Sequence, residues 1–312
     1  MLVPSIRRLK EQRDAALRQV ADLSRRLVDG VASRCVQRAL SAIRTEYTSL
    51  PRFAYHLPLD YEMQTLPPQF DPPVWVDGEV LPLPPTGERH GHADSDAAYL
   101  EWGKYDHDVI LGYIRQSLAS LDKLAVMDFG CSSGRVLRHF QAEMREHGWT
   151  LTGVDVSARR IEWMRRNFPP DFQVYTGSIL PIMPFESNSF DVIYGASVFT
   201  HIKFLWDMWL LELRRILRPG GVLIQSIHTE TAWDFFVQHG HEDWARDALG
   251  PMIIDQKGLR HDFVYFGNID KNQVFWKKDI AIAFWSRYLK EVEVFPPPER
   301  YTTYQDWIIG KK

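Results

Sequence analysis

Short apolar runs alternate with amphipathic stretches from about residue 97 onward. Five runs of five to seven residues are rich in aliphatic and aromatic side chains, as is typical of buried strands. They cover residues 124–129, 151–156, 172–176, 190–196 and 222–227. Between and before them, apolar residues recur at steps of three and four, which predicts helices over 97–120, 133–147, 157–167 and 203–217. The alternation predicts an α/β fold with a parallel, doubly wound sheet.

The alternation of predicted strands and helices ends at residues 229–276, where aromatic residues are mixed with many charged residues. A helix over about 278–290 and two closing strands at 291–295 and 305–309 follow. We interpret 96–312 as one domain that carries 229–276 as an insertion. Because ligands bind at the carboxyl ends of the strands in such sheets, we expect this insertion to form part of a ligand pocket or a lid over it.

Two segments precede that domain. Residues 1–45 carry ten basic and four acidic side chains, and an apolar stripe over 5–29 predicts an amphipathic helix. This arm has three interpretations: docking on its own domain, self-association into a homodimer, or contact with a membrane surface. Residues 46–95 form a proline-rich extended segment, since nine of the 19 prolines fall in 51–85.

Composition narrows the classes of protein. Hydrophobic residues make up 45% and charged residues 25% of the 312-residue chain, as in ordinary globular proteins. Two cysteines, Cys35 and Cys131, are too few for a disulfide framework or a four-cysteine zinc site. The chain has no long apolar run and no secretory leader pattern, so we expect a cytoplasmic protein without a membrane span. The body beyond the arm is mildly acidic, which disfavours a nucleic-acid partner.

Two sites suggest an adenosine-containing ligand. The first predicted strand runs into a small-residue turn, where Gly130 and Gly134 allow a ligand to approach the backbone closely. Asp155 ends the second strand, where an acid accepts hydrogen bonds from ribose hydroxyls in nucleotide-binding folds. The histidine pairs at 90–92 and 239–241 lack defined carboxylate partners, so no metal site is expected.

These sites resemble the class I S-adenosylmethionine-dependent methyltransferases. Residues 128–134 look like the family's Asp/Glu-x-Gly-x-Gly-x-Gly signature, with Ser132 in place of the middle glycine. Four further motifs follow in order at 153–157, 177–179, 184–193 and 217–221. The resemblance implies a Rossmann-like, seven-stranded sheet with an antiparallel closing strand pair, and S-adenosyl-L-methionine as the cofactor.

The resemblance also implies roles for individual residues. The turn would cradle the amino acid part of the cofactor, Asp128 would favour its ammonium group, and Asp155 would bind its ribose. Ser178 and Ile179 would flank the adenine, although the family's usual aspartate is missing there. The full set of expected cofactor contacts is Trp102, Gly103, Asp128, Gly130, Cys131, Ser132, Gly134, Arg135, Asp155, Val156, Ser178, Ile179 and Ala196.

Methyl transfer to a hydroxyl benefits from a general base. His201 follows the fourth strand at the ligand-binding edge and is the candidate base, with a structural histidine as the alternative. We expect a methyltransferase that acts on a small-molecule or saccharide-like acceptor, at oxygen. The alternatives are a non-catalytic cofactor-binding or scaffold protein, and a protein or RNA methyltransferase that docks through the arm.

Overall fold

The computed structural model describes residues 70–89, 95–240, 242, 258–266, 273–297 and 304–312. The predicted helix over 5–29 and most of the proline-rich segment lie outside the described residues. In the described part, seven strands form one sheet with the order β3-β2-β1-β4-β5-β9-β8, and two short strands form a separate hairpin. The first five strands of the large sheet are parallel, while β9 is antiparallel to both of its neighbours. The predicted doubly wound sheet with an antiparallel closing pair is confirmed.

The strands of the large sheet are β1 (Ala125–Phe129), β2 (Thr150–Asp155), β3 (Phe172–Thr176), β4 (Phe190–Gly195), β5 (Leu217–Ile227), β8 (Lys290–Phe295) and β9 (Asp306–Lys311). The hairpin strands are β6 (Phe263–Phe266) and β7 (Gln273–Trp276). The helices are α1 (Asp96–Ser117), α2 (Gln141–His147), α3 (Ala158–Asn167), α4 (Trp206–Ile216), α5 (Glu230–Gln238) and α6 (Lys278–Trp285). Two 3-10 turns cover Thr86–Glu88 and Leu137–Phe140.

Both faces of the large sheet are buried under apolar side chains, which explains the nearly continuous apolar runs of its strands. One face packs under α1, α2 and α3, and its core includes Ile114, Phe140 and Trp163. The other packs under α4 and α6, with Trp209 and Trp285 at its centre. The two cores hold the strands of the sheet in place. Because β1 to β5 run parallel, their carboxyl ends lie at one edge of the sheet.

Four predicted element boundaries are wrong. The helix predicted over 133–147 starts as a 3-10 turn at Leu137 and is α-helical only from Gln141, because the turn before it has left-handed backbone at Gly134. The helix predicted from residue 203 begins at Trp206, after Leu205 adopts φ 57°. The last predicted helix ends at Trp285 instead of 290. Strand β5 begins at Leu217, five residues earlier than predicted, because Leu217 already pairs with Phe190.

The described residues of the insertion, 229–240, 242, 258–266 and 273–276, lie at the carboxyl edge of the sheet. Helix α5 follows β5 directly, and Thr229 caps it by accepting the N–H of Thr231. Strand β7 contacts the same edge, since Val274 N–H donates to the Thr200 carbonyl and Trp276 N–H donates to the His228 carbonyl. Sequence reasoning missed the β6–β7 hairpin, whose strands are only four residues long.

Residues 79–89, which we call the strap, pack against the domain. Leu81 and Leu83 are buried, and Leu83 exchanges two backbone hydrogen bonds with Val74. The buried guanidinium of Arg138 donates to the Leu81 and Pro82 carbonyls and pairs with Glu79 at 2.9 Å. The end of the proline-rich segment is therefore bound to the domain through Arg138, which lies four residues after Gly134 in the segment that follows β1.

Candidate functional site

Three alternate residues of the turn after β1 have left-handed backbone conformations. Gly130, Ser132 and Gly134 have φ values of 81°, 50° and 84°. The N–H groups of Gly130 and Cys131 both donate to the Val154 carbonyl, so the turn folds over the end of β2. A Cβ on Gly130 would overlap the Val198 side chain, and one on Gly134 would lie 2.8 Å from Met164 Sδ. Both glycines are therefore required by conformation and by space.

Asp155, at the end of β2, holds this turn in place. One carboxylate oxygen accepts the Ser132 N–H at 2.8 Å, and the other accepts the Ser157 N–H at 2.7 Å. Ser157 in turn caps α3 by accepting the Arg160 N–H. The two sites that the sequence placed at neighbouring strand ends are in direct contact. A carboxylate has about four acceptor positions, so Asp155 retains capacity for further donors.

Asp128 lies below the turn and is 2% exposed. Burial raises its pKa to about 7, while the neighbouring Tyr194 hydroxyl and the Arg135 charge oppose that rise. Its Oδ2 atom and the Ser132 hydroxyl are buried without a hydrogen-bond partner among the described residues. Buried polar atoms normally have partners, so a polar ligand at this position would complete their hydrogen bonding, as would the Tyr194 hydroxyl for Asp128.

Several predicted contact residues support the turn from behind. Cys131 is buried, and a Cβ on Gly153 would lie 2.9 Å from its sulfur. Arg135 is buried and pairs with Asp106 of α1 at 2.6 Å. Gly103 on α1 has no room for a side chain, because a Cβ there would overlap the Arg135 carbonyl. In the structure Cys131, Arg135 and Gly103 contact other protein residues, so they stabilise the conformation of the turn.

The remaining predicted contacts form the rim of the site. Trp102 of α1 and Val156 after β2 are exposed large hydrophobic residues. Ser178 and Ile179 are half-buried in the turn after β3, where the Ser178 hydroxyl accepts the Leu180 N–H at 3.0 Å. Gly177 N–H donates to the Asp155 carbonyl, which joins this turn to the end of β2.

The turn after β4 carries the candidate base. Ala196 is half-buried, and Ser197 has φ 59° and donates its N–H to the Ser226 hydroxyl at 2.6 Å. Gln305 bonds both serine hydroxyls and so joins this turn to the segment before β9. His201 is half-buried, and its N–H donates to the Val198 carbonyl at 2.9 Å. Gln305 is far away in sequence, and nothing in the motif pattern pointed to it.

His228 lies at the same edge, after β5, and is 1% exposed. Burial lowers its pKa well below the ordinary value, and the nearby charge of His201 lowers it further. Its ring packs beside Phe275, at 5.0 Å between centroids, and beside Tyr304 at 5.4 Å. His228 is therefore neutral and enclosed by aromatic rings, whereas His201 retains access to solvent.

Two features are absent from the described ranges, a metal-ligating cluster and a membrane-spanning helix. No group of three or more His, Cys, Asp or Glu side chains there is arranged to hold a metal ion. No helix in those ranges has the length and apolar character needed to cross a membrane.

Comparison with known proteins places the site in a family context. Residues 127–225 match a family model described as a methyltransferase domain. A malonyl-[acyl-carrier protein] O-methyltransferase of Enterobacter lignolyticus is 29% identical over 147 residues, covering 44% of this chain and 55% of that protein. A sterol 4-C-methyltransferase of Caenorhabditis elegans is 28% identical over 116 residues, covering 36% of this chain and 33% of that protein.

A solved structure of a SAM-dependent methyltransferase from Aquifex aeolicus covers 70% of this chain and 93% of its own, with 15% identity and a TM-score of 0.44. The matched regions span 55% and 33% of the lengths of the two curated relatives described above.

Proposed function

We propose that the chain carries a class I S-adenosylmethionine-dependent methyltransferase domain and that it transfers a methyl group from S-adenosyl-L-methionine to a small-molecule or saccharide-like acceptor, at oxygen; the methyltransferase-domain match and the five sequence motifs support this. One observation carries the proposal. The left-handed turn after β1 closes on the Asp155 carboxylate, while Asp128 Oδ2 and the Ser132 hydroxyl beside it remain buried without partners among the described residues.

The residues around this turn fit the cofactor. The positive φ values of Gly130 and Gly134 shape the turn, while Val198 and Met164 fill the space where a Cβ would otherwise lie. Asp128 would hold the ammonium group, and Asp155 has free acceptor positions for ribose hydroxyls. Val156 and Ile179 would lie against the adenine. When bound, the cofactor supplies a methyl group already activated on a sulfonium, so the protein's main task is alignment.

The acceptor would approach at the carboxyl edge between the turn after β4 and the β6–β7 hairpin. This placement is supported by the hydrogen bond from Val274 to the Thr200 carbonyl, which fixes the hairpin beside the residue that precedes His201. His201 would take the proton of the acceptor hydroxyl. Its half-buried position suits a base that must exchange protons with solvent, unlike the enclosed His228.

Oxygen is the favoured target because a general base is useful only for an acceptor that must lose a proton. Relatives named above act at oxygen or at carbon, according to their names. The acceptor is therefore best sought with a panel of hydroxylated small molecules and saccharides.

The test has two stages. Calorimetric titration with S-adenosyl-L-methionine should show saturable binding, and mass spectrometry should then detect a gain of one methyl group in a panel member. Absence of cofactor binding would refute the proposal. Binding with no transfer to any member, while methylated RNA or protein forms instead, would favour the docking methyltransferase. Binding with no transfer at all would favour the non-catalytic alternative.

We also propose that the arm at 1–45 forms a homodimer through its apolar stripe. The test compares the full chain with a truncation that begins at Phe70, which leaves the strap in place. Light scattering at micromolar concentration should show a dimer for the full chain and a monomer for the truncation. A monomeric full chain would refute the dimer.

A further inference from the structure

Glu88 is buried at the end of the strap and contacts both the turn after β1 and the start of α3. Its backbone carbonyl accepts the Ser133 hydroxyl at 2.9 Å, and its carboxylate pairs with Arg159. Ser133 follows Ser132 in the turn after β1, and Arg159 lies in the first turn of α3, two residues after Ser157. Glu88 therefore joins the same two segments that Asp155 joins.

The two acids contact different residues of these segments. Asp155 accepts the Ser132 and Ser157 N–H groups from within the site. Glu88 reaches the neighbouring residues from the strap, and its side chain is only 5% exposed. The Tyr99 hydroxyl of α1 also contacts the Ser133 hydroxyl, at 3.2 Å, so Ser133 is held from two sides.

We propose that Glu88 is a positioning residue of the cofactor site. It keeps the turn after β1 close to the start of α3 when the Asp155 carboxylate also accepts hydrogen bonds from the ribose hydroxyls. The proposal rests on the proposed function, because the site must bind S-adenosyl-L-methionine. Glu88 acts through its backbone carbonyl on Ser133 and through its carboxylate on Arg159, and only the second contact changes in Glu88→Gln.

The attachment of the strap explains how one glutamate can do this. Arg89, next to Glu88, is 2% exposed and donates to the Pro84 carbonyl at 2.9 Å and to Asp96 of α1. Arg138 holds the other end of the strap through Glu79 and two carbonyls. With both ends tied to the domain, the Glu88 carboxylate has little freedom to move, so its contacts restrain the two turns.

The strap also offers a matched control. Glu79 and Glu88 are both strap acids paired with an arginine of the domain, but Glu79 pairs with Arg138 and does not contact Ser133 or Arg159. A strap that only adds stability predicts the same behaviour for both acids. A positioning role predicts that only Glu88 affects cofactor binding.

The experiment measures the dissociation constant of S-adenosylhomocysteine and the melting temperature of the full chain and its variants. Glu88→Gln and Arg159→Gln should each raise the dissociation constant about five- to twentyfold, a typical coupling between linked sites. The double variant should weaken binding no more than the more severe single variant, because both break one contact. Glu79→Gln should lower the melting temperature yet keep the dissociation constant within about twofold of the wild-type value.

Two further readouts separate positioning from packing. In Glu88→Gln, the cofactor KM should rise while the acceptor KM and the kcat at saturating cofactor stay unchanged. By reciprocity, adding S-adenosylhomocysteine should slow amide hydrogen exchange in residues 79–89 of the wild type. Ser133→Ala should weaken cofactor binding in the same direction, and it carries the test if Glu88→Gln fails to fold.

Equal dissociation constants for the wild type, Glu88→Gln and Ser133→Ala, with only melting temperatures lowered, would overturn the proposal and leave the strap as packing. Unchanged hydrogen exchange in the strap on ligand addition would overturn it as well. If the wild type binds neither S-adenosylhomocysteine nor S-adenosyl-L-methionine, the proposed function fails. If the wild type and the Glu88 variant bind equally well, only the positioning role of Glu88 fails.

Discussion

The Asp155 carboxylate accepts the backbone N–H of Ser132 at 2.8 Å, so the acid that ends one strand holds the turn that follows its neighbour. This contact joins two sequence motifs that are 23 residues apart. It also means that changing Asp155 alters both the expected ribose contact and the shape of the turn, which the first experiment must separate.

Asp155→Ala should weaken binding of S-adenosyl-L-methionine by about 10- to 150-fold, since hydrogen bonds to a charged group contribute about 1.5–3 kcal/mol. Isothermal titration calorimetry measures this directly. Asp155→Asn is the control for the turn, because its amide oxygen still accepts one backbone N–H. Equal affinity in Asp155→Ala and the wild type would contradict the assigned ribose contact.

Cofactor affinity should depend on the ionisation of Asp128. Burial raises the pKa of Asp128 to about 7, so the carboxyl is neutral below that pH and cannot pair with an ammonium group. The affinity should therefore rise by up to about tenfold per pH unit from pH 5.5 toward 7 and then level off. Asp128→Asn should bind weakly with no such slope. A wild-type affinity that is flat over this range would remove Asp128 from ammonium binding.

The same raised pKa predicts how stability without ligand changes with pH. The folded protein holds the Asp128 proton more tightly than the unfolded chain, so the free energy of unfolding should decrease as pH rises from about 4 through 7. Asp128→Asn mimics the neutral acid and should melt several degrees above the wild type at pH 8, where the wild-type carboxylate is charged and buried. Scanning calorimetry at pH 5 and pH 8 tests this, with equal shifts at both pH values counting against it.

Ser132→Gly should stabilise the protein. Serine at φ 50° adopts a conformation that costs L-residues roughly 1–2 kcal/mol, and its hydroxyl is buried without a partner among the described residues. We expect a gain of about 1 kcal/mol after the added flexibility of the unfolded chain is counted. Ser133→Gly is the matched control and should destabilise, because the Ser133 hydroxyl donates to Glu88. Thermal melts of both variants without ligand decide the matter.

Two aromatic residues of the hairpin should behave differently. Tyr265 is 40% exposed, while Phe263 packs against Trp276 at 4.4 Å between ring centroids and against Trp206. Tyr265→Ala should therefore raise the acceptor KM and leave the melting temperature near that of the wild type. Phe263→Ala should lower the melting temperature through lost packing. A rise in cofactor KM with unchanged acceptor KM in Tyr265→Ala would count against a hairpin role in acceptor binding.

His201→Ala should lower kcat by roughly 10²–10⁴ with cofactor affinity nearly intact, the range expected for loss of a general base. Activity should recover in part at high pH, where more of the acceptor hydroxyl is already ionised. The control is the melting temperature, because a purely structural histidine would lower stability and cofactor binding together. A kcat within about threefold of the wild-type value would leave alignment as the main source of rate.

The sequence predicted the sheet well because its strands are buried on both faces and appear as uninterrupted apolar runs. Element ends were harder to predict. Ser132 and Leu205 adopt left-handed backbone without being glycine, so no residue type marked where the following helix begins. The early start of β5 depends on pairing with Phe190, 27 residues away, which local periodicity does not show.

The contacts of the strap at the candidate site were also not predictable from local sequence. Glu88 carries no motif, and its partners Ser133 and Arg159 are 45 and 71 residues away. Its sequence neighbourhood over 82–92 mixes prolines, glycines, histidines and charged residues in no pattern that indicates a site. The glycines and acids of the site were predictable because backbone conformation and ligand chemistry restrict those positions to few residue types, whereas the contacts of Glu88 depend on how distant segments pack.

The position of β9 has a consequence for how the protein forms during synthesis. This strand lies between β5 and β8 and is antiparallel to both, and its side chains Trp307, Ile308 and Ile309 complete the cores on both sides of the sheet. A nascent chain that has emerged only as far as β8 therefore presents β5 with an open, apolar edge, which is a template for association with other chains. We therefore expect the domain to complete its cooperative fold only after residue 311 has emerged from the ribosome.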